Sequence, residues 1–326
     1  MKSCGILCAL VLASLVLCPV AAIKPAKAEP AALAVNAAEG EAINVFSSST
    51  GKVEKVDMHE YLIGSLAAEM PPSYHTQALK AQAVACYTYA VRTRNEQRSN
   101  PDLSLAGADI SDSSKMHQGY ISKQQRKELW GDKFEENEAK LESAVYEVYG
   151  NIITYEGEAI LALYHSICAG RTQSAESMWG SDIAYLQSVE SPGDLLSPDY
   201  KKTVVFDEAE FKKLLSESGV KLEGDAEDWL GKTKTDDSGY VLSVSLCGTE
   251  YGAGKLREAL GIRSTCFTVE HGKSGFTVET LGYGHAVGMS QYGADYMARQ
   301  GSTWREILLH YYSNAKIEAQ TAGASA

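Results

Sequence analysis

Glu69 stands where a carboxylate is least expected. It lies near the end of a run from Asp57 to Pro72 in which Leu62, Ile63, Leu66 and Met70 recur at helical spacing and mark an inward face. At about 100° per residue, Glu69 falls inside that arc, beside Leu62 and Leu66. Burial disfavours the ionised form, so such a glutamate can keep its proton near neutral pH, as a general acid must. The competing reading is a helix-end glutamate that reaches solvent or pairs with an arginine such as Arg92. Spacing alone leaves both open.

Two further groups carry chemistry-bearing side chains. His165 and Cys168 could be half of a zinc site, but structural zinc takes four ligands. Cys86, Cys247 or a second histidine would have to complete it, so zinc is possible without being the favoured reading. The alternative is a hydrogen-bonded histidine beside a buried thiol. Ser166 next to His165 makes no triad, because neighbours in a strand point apart. The stretch Gly282–Gly293 reads as a glycine-rich loop opening into a helix, where backbone can approach a ligand and free amides can bind oxygens. No Walker-type Lys-Ser/Thr follows it. His285, Ser290, Gln291 and Tyr292 supply donors, acceptors and an aromatic face suited to a sugar; the competing reading is a structural turn with a core histidine.

The elements that must hold these residues can be read in turn. Asp57 and Glu60 predict a capping box, and Pro71-Pro72 predict the end of the helix. A second helix is expected from Ser73, with Leu79, Ala83, Cys86, Tyr87 and Ala90 on one side, so that Glu69 lies at the joint of a two-helix unit. A hairpin (43–46, 52–56) precedes the first helix, and 95–107 reads as a loop. Residues 123–148 are helical with a break near Gly131, and 151–155 and 158–163 are strands joined by Glu156-Gly157. After a loop at 192–200, a helix is expected at 207–215, a strand at 240–246 and a short helix at 255–260. Strands follow at 264–269 and 275–281, and Thr303 and Glu306 cap a last helix. This irregular alternation predicts an α+β fold, with helices and short, mostly antiparallel strands in one large domain.

The chain of 326 residues has a net charge of −12. Residues 1–28 carry Lys2, Lys24 and Lys27 and no acid, so the remainder has 27 basic and 42 acidic side chains, a net of −15. That balance argues against nucleic acid and against anionic membrane as partners of the folded part, but not against an uncharged glycan. An apolar run from Ile6 to Ala22 with Ala26-Lys27-Ala28 predicts a signal peptide or N-terminal anchor over 1–28, hence an extracytoplasmic protein that meets a membrane only through that segment. Residues 29–42 read as a linker and 319–326 as a disordered tail. Of seven cysteines, Cys86, Cys168, Cys247 and Cys266 lie beyond the signal; two disulfides or free thiols are both open.

Several ordered motifs resemble the SpoIID/LytB family of cell-wall proteins. They are Tyr61-Leu62-Ile63-Gly64, Ala67-Ala68-Glu69-Met70-Pro71 and Leu79 to Ala85; then Gln118-Gly119-Tyr120, Leu163-Tyr164-His165-Ser166 with Gly170-Arg171-Thr172, and Trp179-Gly180 with Tyr185-Leu186. Gly254 to Arg257, Leu260 to Thr265 and Gly282 to Ala294 complete the set, so the resemblance spans 43–318. Two departures stand out: Ala286 replaces a glycine, and Cys168-Ala169-Gly170 replaces Ser-Gly-Gly. The resemblance implies a lytic transglycosylase that cleaves peptidoglycan strands between N-acetylmuramic acid and N-acetylglucosamine, leaving 1,6-anhydro ends on strands stripped of stem peptide. Glu69 would be the catalytic residue and Gln118, Tyr120, His165, His285, Ser290, Gln291 and Tyr292 the sugar-binding set, with no cofactor required. An amidase of the SpoIIP type is the implied partner, and the alternative implied by the LytB branch is a non-catalytic amidase modulator.

Overall fold

The computed structural model describes residues 41–320, so the expected signal segment, most of the expected linker and all but the first two residues of the expected tail lie outside the described residues; of those two, Ala319 belongs to a strand. The chain begins with a hairpin, β1 (Ala42–Phe46) and β2 (Val53–Asp57), so Ala42 belongs to a strand rather than to the linker. Asp57 caps α1 (Met58–Glu69), its carboxylate accepting from the amides of His59 and Glu60. The reciprocal half of the expected capping box is missing, because the Glu60 side chain turns to Arg126. α1 is buried over Tyr61–Ala67, as a helix apolar on nearly every side should be, and Pro71 follows its end.

α2 (Thr76–Ser99) starts three residues later than the spacing suggests, because the His75 imidazole accepts from the Gln77 amide and serves as the cap. It also runs to Ser99, through the first part of the expected loop. Its alanines 78, 81, 83, 85 and 90 are buried and admit close neighbours on several sides, α1 among them. β3 (Ile110–Ser111) adds to β1 in parallel. α3 (Lys123–Trp130) and α4 (Phe134–Val148) are separated by a 3-10 turn at Gly131, the expected break. β4 (Asn151–Tyr155) and β5 (Glu158–Ala159) form a hairpin whose second strand ends sooner than expected.

The middle of the chain passes through β6 (Tyr164–His165) and α5 (Ala175–Trp179) into a second core. That core contains β7 (Lys201–Phe206), α6 (Glu208–Glu217), the meander β8 (Leu230–Thr235), β9 (Val241–Leu246) and β10 (Thr249–Gly252), then α7 (Ala253–Leu260), β11 (Phe267–Gly272) and β12 (Gly275–Leu281). Phe276, fully buried, stacks between Phe211 and Trp229 at its centre. The chain then returns to the first core through β13 (Met289–Ser290), parallel to β6, and closes with α8 (Gln291–Arg299), α9 (Trp304–Tyr311) and β14 (Lys316–Ala319) against β4. The fold is α+β, with small, mostly antiparallel sheets distributed around helices. Among the described residues no helix is long and apolar enough to cross a membrane.

Candidate active site

α1 ends at the wall of a groove of about 700 Å³. Ala68, Glu69, Pro72 and Tyr74 form one side, with Trp130 from α3; Gln291 and Tyr292 open α8 on another, and Ser166, Asp199, Arg263 and Tyr283 come from the second half of the chain. Glu69 makes no ion pair among the described residues; Arg92 pairs instead with Glu96 at 2.7 Å and donates to the Ala159 carbonyl. The arginine-paired reading of Glu69 therefore fails on Arg92, while the side chain remains partly exposed on the groove wall.

One oxygen of the Glu69 carboxyl accepts a 2.6 Å hydrogen bond from the backbone amide of Gly119. Surrounding protein raises the Glu69 pKa, and although the Gly119 amide and the Gln291 side chain pull the other way, burial prevails. A side chain at 119 would be tight: a Cβ built there would stand 3.0 Å from Glu69 Oε1 and 3.1 Å from the Ala68 Cβ. Gly119 is thus the site residue that reasoning from spacing missed, and the signal available was its place between Gln118 and Tyr120.

The surroundings explain why that amide is aimed. Gln118 is buried and fully engaged, its Nε2 donating to Tyr61 Oη and the Cys86 carbonyl and its Oε1 accepting from Tyr164 Oη. It anchors the 118–119 backbone and does not face the groove. Tyr120 stacks on Tyr61 and lies over Gly64, where a Cβ would collide with its ring and with the Ile121 carbonyl. Below them Arg126, fully buried, clamps Glu138 with two 2.8 Å bonds, Glu60 with a third and the Ile121 carbonyl with a fourth. The loop after α1 is held by Lys140, which donates to the carbonyls of Pro72 and Tyr74, and by Asp295, which accepts from the His75 amide at 2.6 Å.

The glycine-rich loop serves packing more than ligand approach. Gly282 and Gly284 have positive φ, and a Cβ at either would stand 2.7 Å from the Ile167 carbonyl or from the His165 Cβ. Backbone thus meets the 163–168 segment directly. Ala286, the departure from glycine, is buried at φ 62°, a left-handed conformation that costs a residue with a Cβ about 1–2 kcal/mol. The sequence-predicted sugar set divides. Glu69, Gln291 and Tyr292 share the groove, with the Tyr292 ring edge-on to Tyr74. Ser290 is buried, caps α8 and donates to Asp194 Oδ1 at 2.7 Å. His165 and His285 form a separate pair with ring centres 5.7 Å apart, His285 also facing Trp179. Burial lowers the pKa of His165 to about 3 and of His285 to about 4, with Arg257 assisting at His285, so both are neutral at physiological pH.

His165 Nδ1 sits 3.2 Å from the Val287 carbonyl, whereas the Cys168 thiol donates to Asp194 Oδ2 at 3.0 Å. The two candidate zinc ligands therefore have different partners, and burial with the Asp194 charge drives the Cys168 thiol far above its usual range. Among the described residues no group of three or more His, Cys, Asp or Glu side chains is arranged to hold a metal ion. The four described cysteines are free thiols: Cys86, Cys168 and Cys266 buried, Cys247 exposed.

Comparison with known proteins fits these motifs. The family model described as "SpoIID: Stage II sporulation protein" matches residues 47–155, the segment that contains α1, α2 and Gly119. Stage II sporulation protein D of Bacillus subtilis (strain 168) is 38% identical over 281 residues, covering 86% of this chain and 80% of that protein. The chain belongs to the SpoIID family. Stage II sporulation protein D of Bacillus amyloliquefaciens is likewise 38% identical, over 276 residues, covering 84% of this chain and 78% of that protein. The amidase enhancer of Bacillus subtilis is 26% identical over 309 residues, matching 78% of this chain but 40% of its own length. In this SpoIID family member Glu69 and Gln291 meet in the groove, and the Gly119 amide holds one Glu69 oxygen.

Proposed function

We propose that this SpoIID-family chain acts on the cell wall during sporulation as a lytic transglycosylase, with Glu69 as its single acid and base. The observation that carries the reading is the Glu69 carboxyl itself: on a groove wall, in no ion pair among the described residues, raised in pKa and held through one oxygen by the Gly119 amide. The protonated carboxyl gives its proton to the glycosidic oxygen as the bond to the muramic anomeric carbon breaks. The carboxylate then takes the proton of the muramic C6 hydroxyl, whose oxygen closes on the anomeric carbon. A 1,6-anhydro end results, Glu69 is protonated again, and no water enters. Two-carboxylate glycosidases need a second acid as base or nucleophile, whereas here the substrate's own hydroxyl takes that role. Gln291, Tyr292 and Tyr74 would orient the sugars. An N-terminal signal or anchor would place the domain outside the cytoplasmic membrane. No cofactor enters the chemistry.

The test is mass spectrometry of products released by the purified chain from glycan strands freed of stem peptides. Anhydro-muramic ends support the proposal, and reducing ends point to a hydrolase. The second reading rests on likeness to the amidase enhancer: a cell-wall-binding protein that modulates a partner amidase. It predicts no soluble product from the chain alone and faster release of stem peptides when an amidase is added.

A further inference from the structure

Besides Glu69, the charged groups on the groove wall are Asp199 and Arg263. Arg263 reaches the groove from the turn between α7 and β11, with its guanidinium over the Tyr283 ring at 5.1 Å. Tyr283 itself is 47% exposed. The Arg263 hydrogen bonds run through Nη1 alone and are long, 3.4 Å to the Asp199 carbonyl and 3.5 Å to its carboxylate, which is itself largely exposed. The guanidinium is held over the Tyr283 face, and its remaining N–H donors make no hydrogen bond among the described residues. A pre-positioned planar fork of this kind matches a carboxylate.

A glycan strand of alternating N-acetylated sugars has one such group per repeat. It is the lactyl carboxylate of muramic acid, charged when unsubstituted and turned into a neutral amide when a stem peptide is attached. Building on the reading of the groove as a glycan site, we propose that Arg263 binds that free carboxylate and so selects strands without stem peptides. The amide presents one oxygen and no charge, and its peptide would have to pass the Tyr283–Arg263 stack.

Three properties separate this role from a structural one: it depends on the ligand's charge, it appears in binding as well as turnover, and it weakens with salt. The experiment compares strands with free lactyl carboxylates against the same strands capped as methylamides, using the full chain and its Arg263→Gln variant, by calorimetric titration and product release. The parent should bind free strands about tenfold or more tightly than capped ones, the size of one charge-assisted hydrogen bond. Arg263→Gln should lose that difference by weakening toward free strands alone, with binding to capped strands changed less than about twofold. Arg263→Lys, which keeps charge without the fork, should recover part of it. Equal binding of both strand kinds by the parent, an equal loss on both in Arg263→Gln, or no binding of either would overturn the proposal. A chain that prefers free strands through Arg263 yet releases no anhydro product would leave this inference standing and defeat the catalytic reading; one that cleaves both strand kinds alike would do the reverse.

Discussion

The Glu69–Gly119 contact joins residues 50 positions apart and holds the carboxyl in place, while burial raises its pKa. Gly119→Ala would push a methyl group against Glu69 Oε1 and Ala68. We expect at least a tenfold loss of product release with a stability cost of about 1–3 kcal/mol, the range for overpacking; turnover and melting of the same preparation check it. The raised Glu69 pKa also has a sign. The folded chain holds that proton more tightly than the unfolded chain, whose glutamate has the ordinary value of 4.5, so folding is weakened as pH rises from there through the folded pKa and remains weakened above it. Glu69→Gln should therefore be the more stable form at neutral pH, and its advantage should shrink as pH falls through the folded pKa and be gone below about 4.5, a difference that melting curves across pH will read. At this scale the sequence showed Glu69, since its place on an apolar arc is a matter of spacing. It could not show Gly119 as the donor, because no periodicity relates positions 69 and 119. Gln118 was legible as important and misread in role, since composition does not distinguish a buried amide from a sugar-binding one.

Elements enter the site through their ends. α1 ends at the groove, α8 begins there, and the loop between α1 and α2 is tied to α4 and α8 by Lys140 and Asp295. Arg126 secures the other end of α1 to α4 through Glu60 and Glu138. Arg126→Met would strand two carboxylates around a buried site, and we expect about 3–5 kcal/mol of destabilisation, read as a lower denaturant midpoint. Helix interiors, the break at Gly131 and the Thr303 cap were legible from spacing and local chemistry. Helix starts were not always: α2 begins after a His75 cap rather than at Ser73, and Glu60 left its capping box for Arg126. The Glu60 side chain was drawn off by a contact outside the local window, whereas the His75 cap is local and rests on an imidazole taking a place usually held by Ser, Thr, Asp or Asn.

Across the whole molecule, the groove is assembled from two cores. Glu69, Tyr74 and Gln291 come with the first, while Arg263 and Tyr283 stand beside the second, whose centre is Phe276. The α+β class was legible in the irregular alternation of helices and strands, but the return of residues 282–320 to the first core was not, since it depends on pairing between β13 and β6 and between β14 and β4. The oxidation state belongs to this scale too, because cysteines far apart in sequence could have been paired and are not. Native alkylation followed by peptide mapping should label Cys247 promptly and leave Cys86, Cys168 and Cys266 protected until the chain unfolds. Prompt labelling of all four would show that the buried positions are wrong.

The most direct measurement of the central claim is product formation by Glu69→Gln on strands without stem peptides, across pH, beside the parent chain. The glutamine preserves size and can still accept from Gly119, but it neither gives nor takes a proton. The account predicts that anhydro-ended product falls by about two orders of magnitude or more, within the usual range for general acid–base catalysis, while folding and strand binding persist. It also predicts that parental kcat/KM declines as pH rises through a pKa above the ordinary glutamate range, a limb absent from the variant's residual rate. Parental rates from Glu69→Gln would contradict the account, because cleavage would then not run through the Glu69 proton.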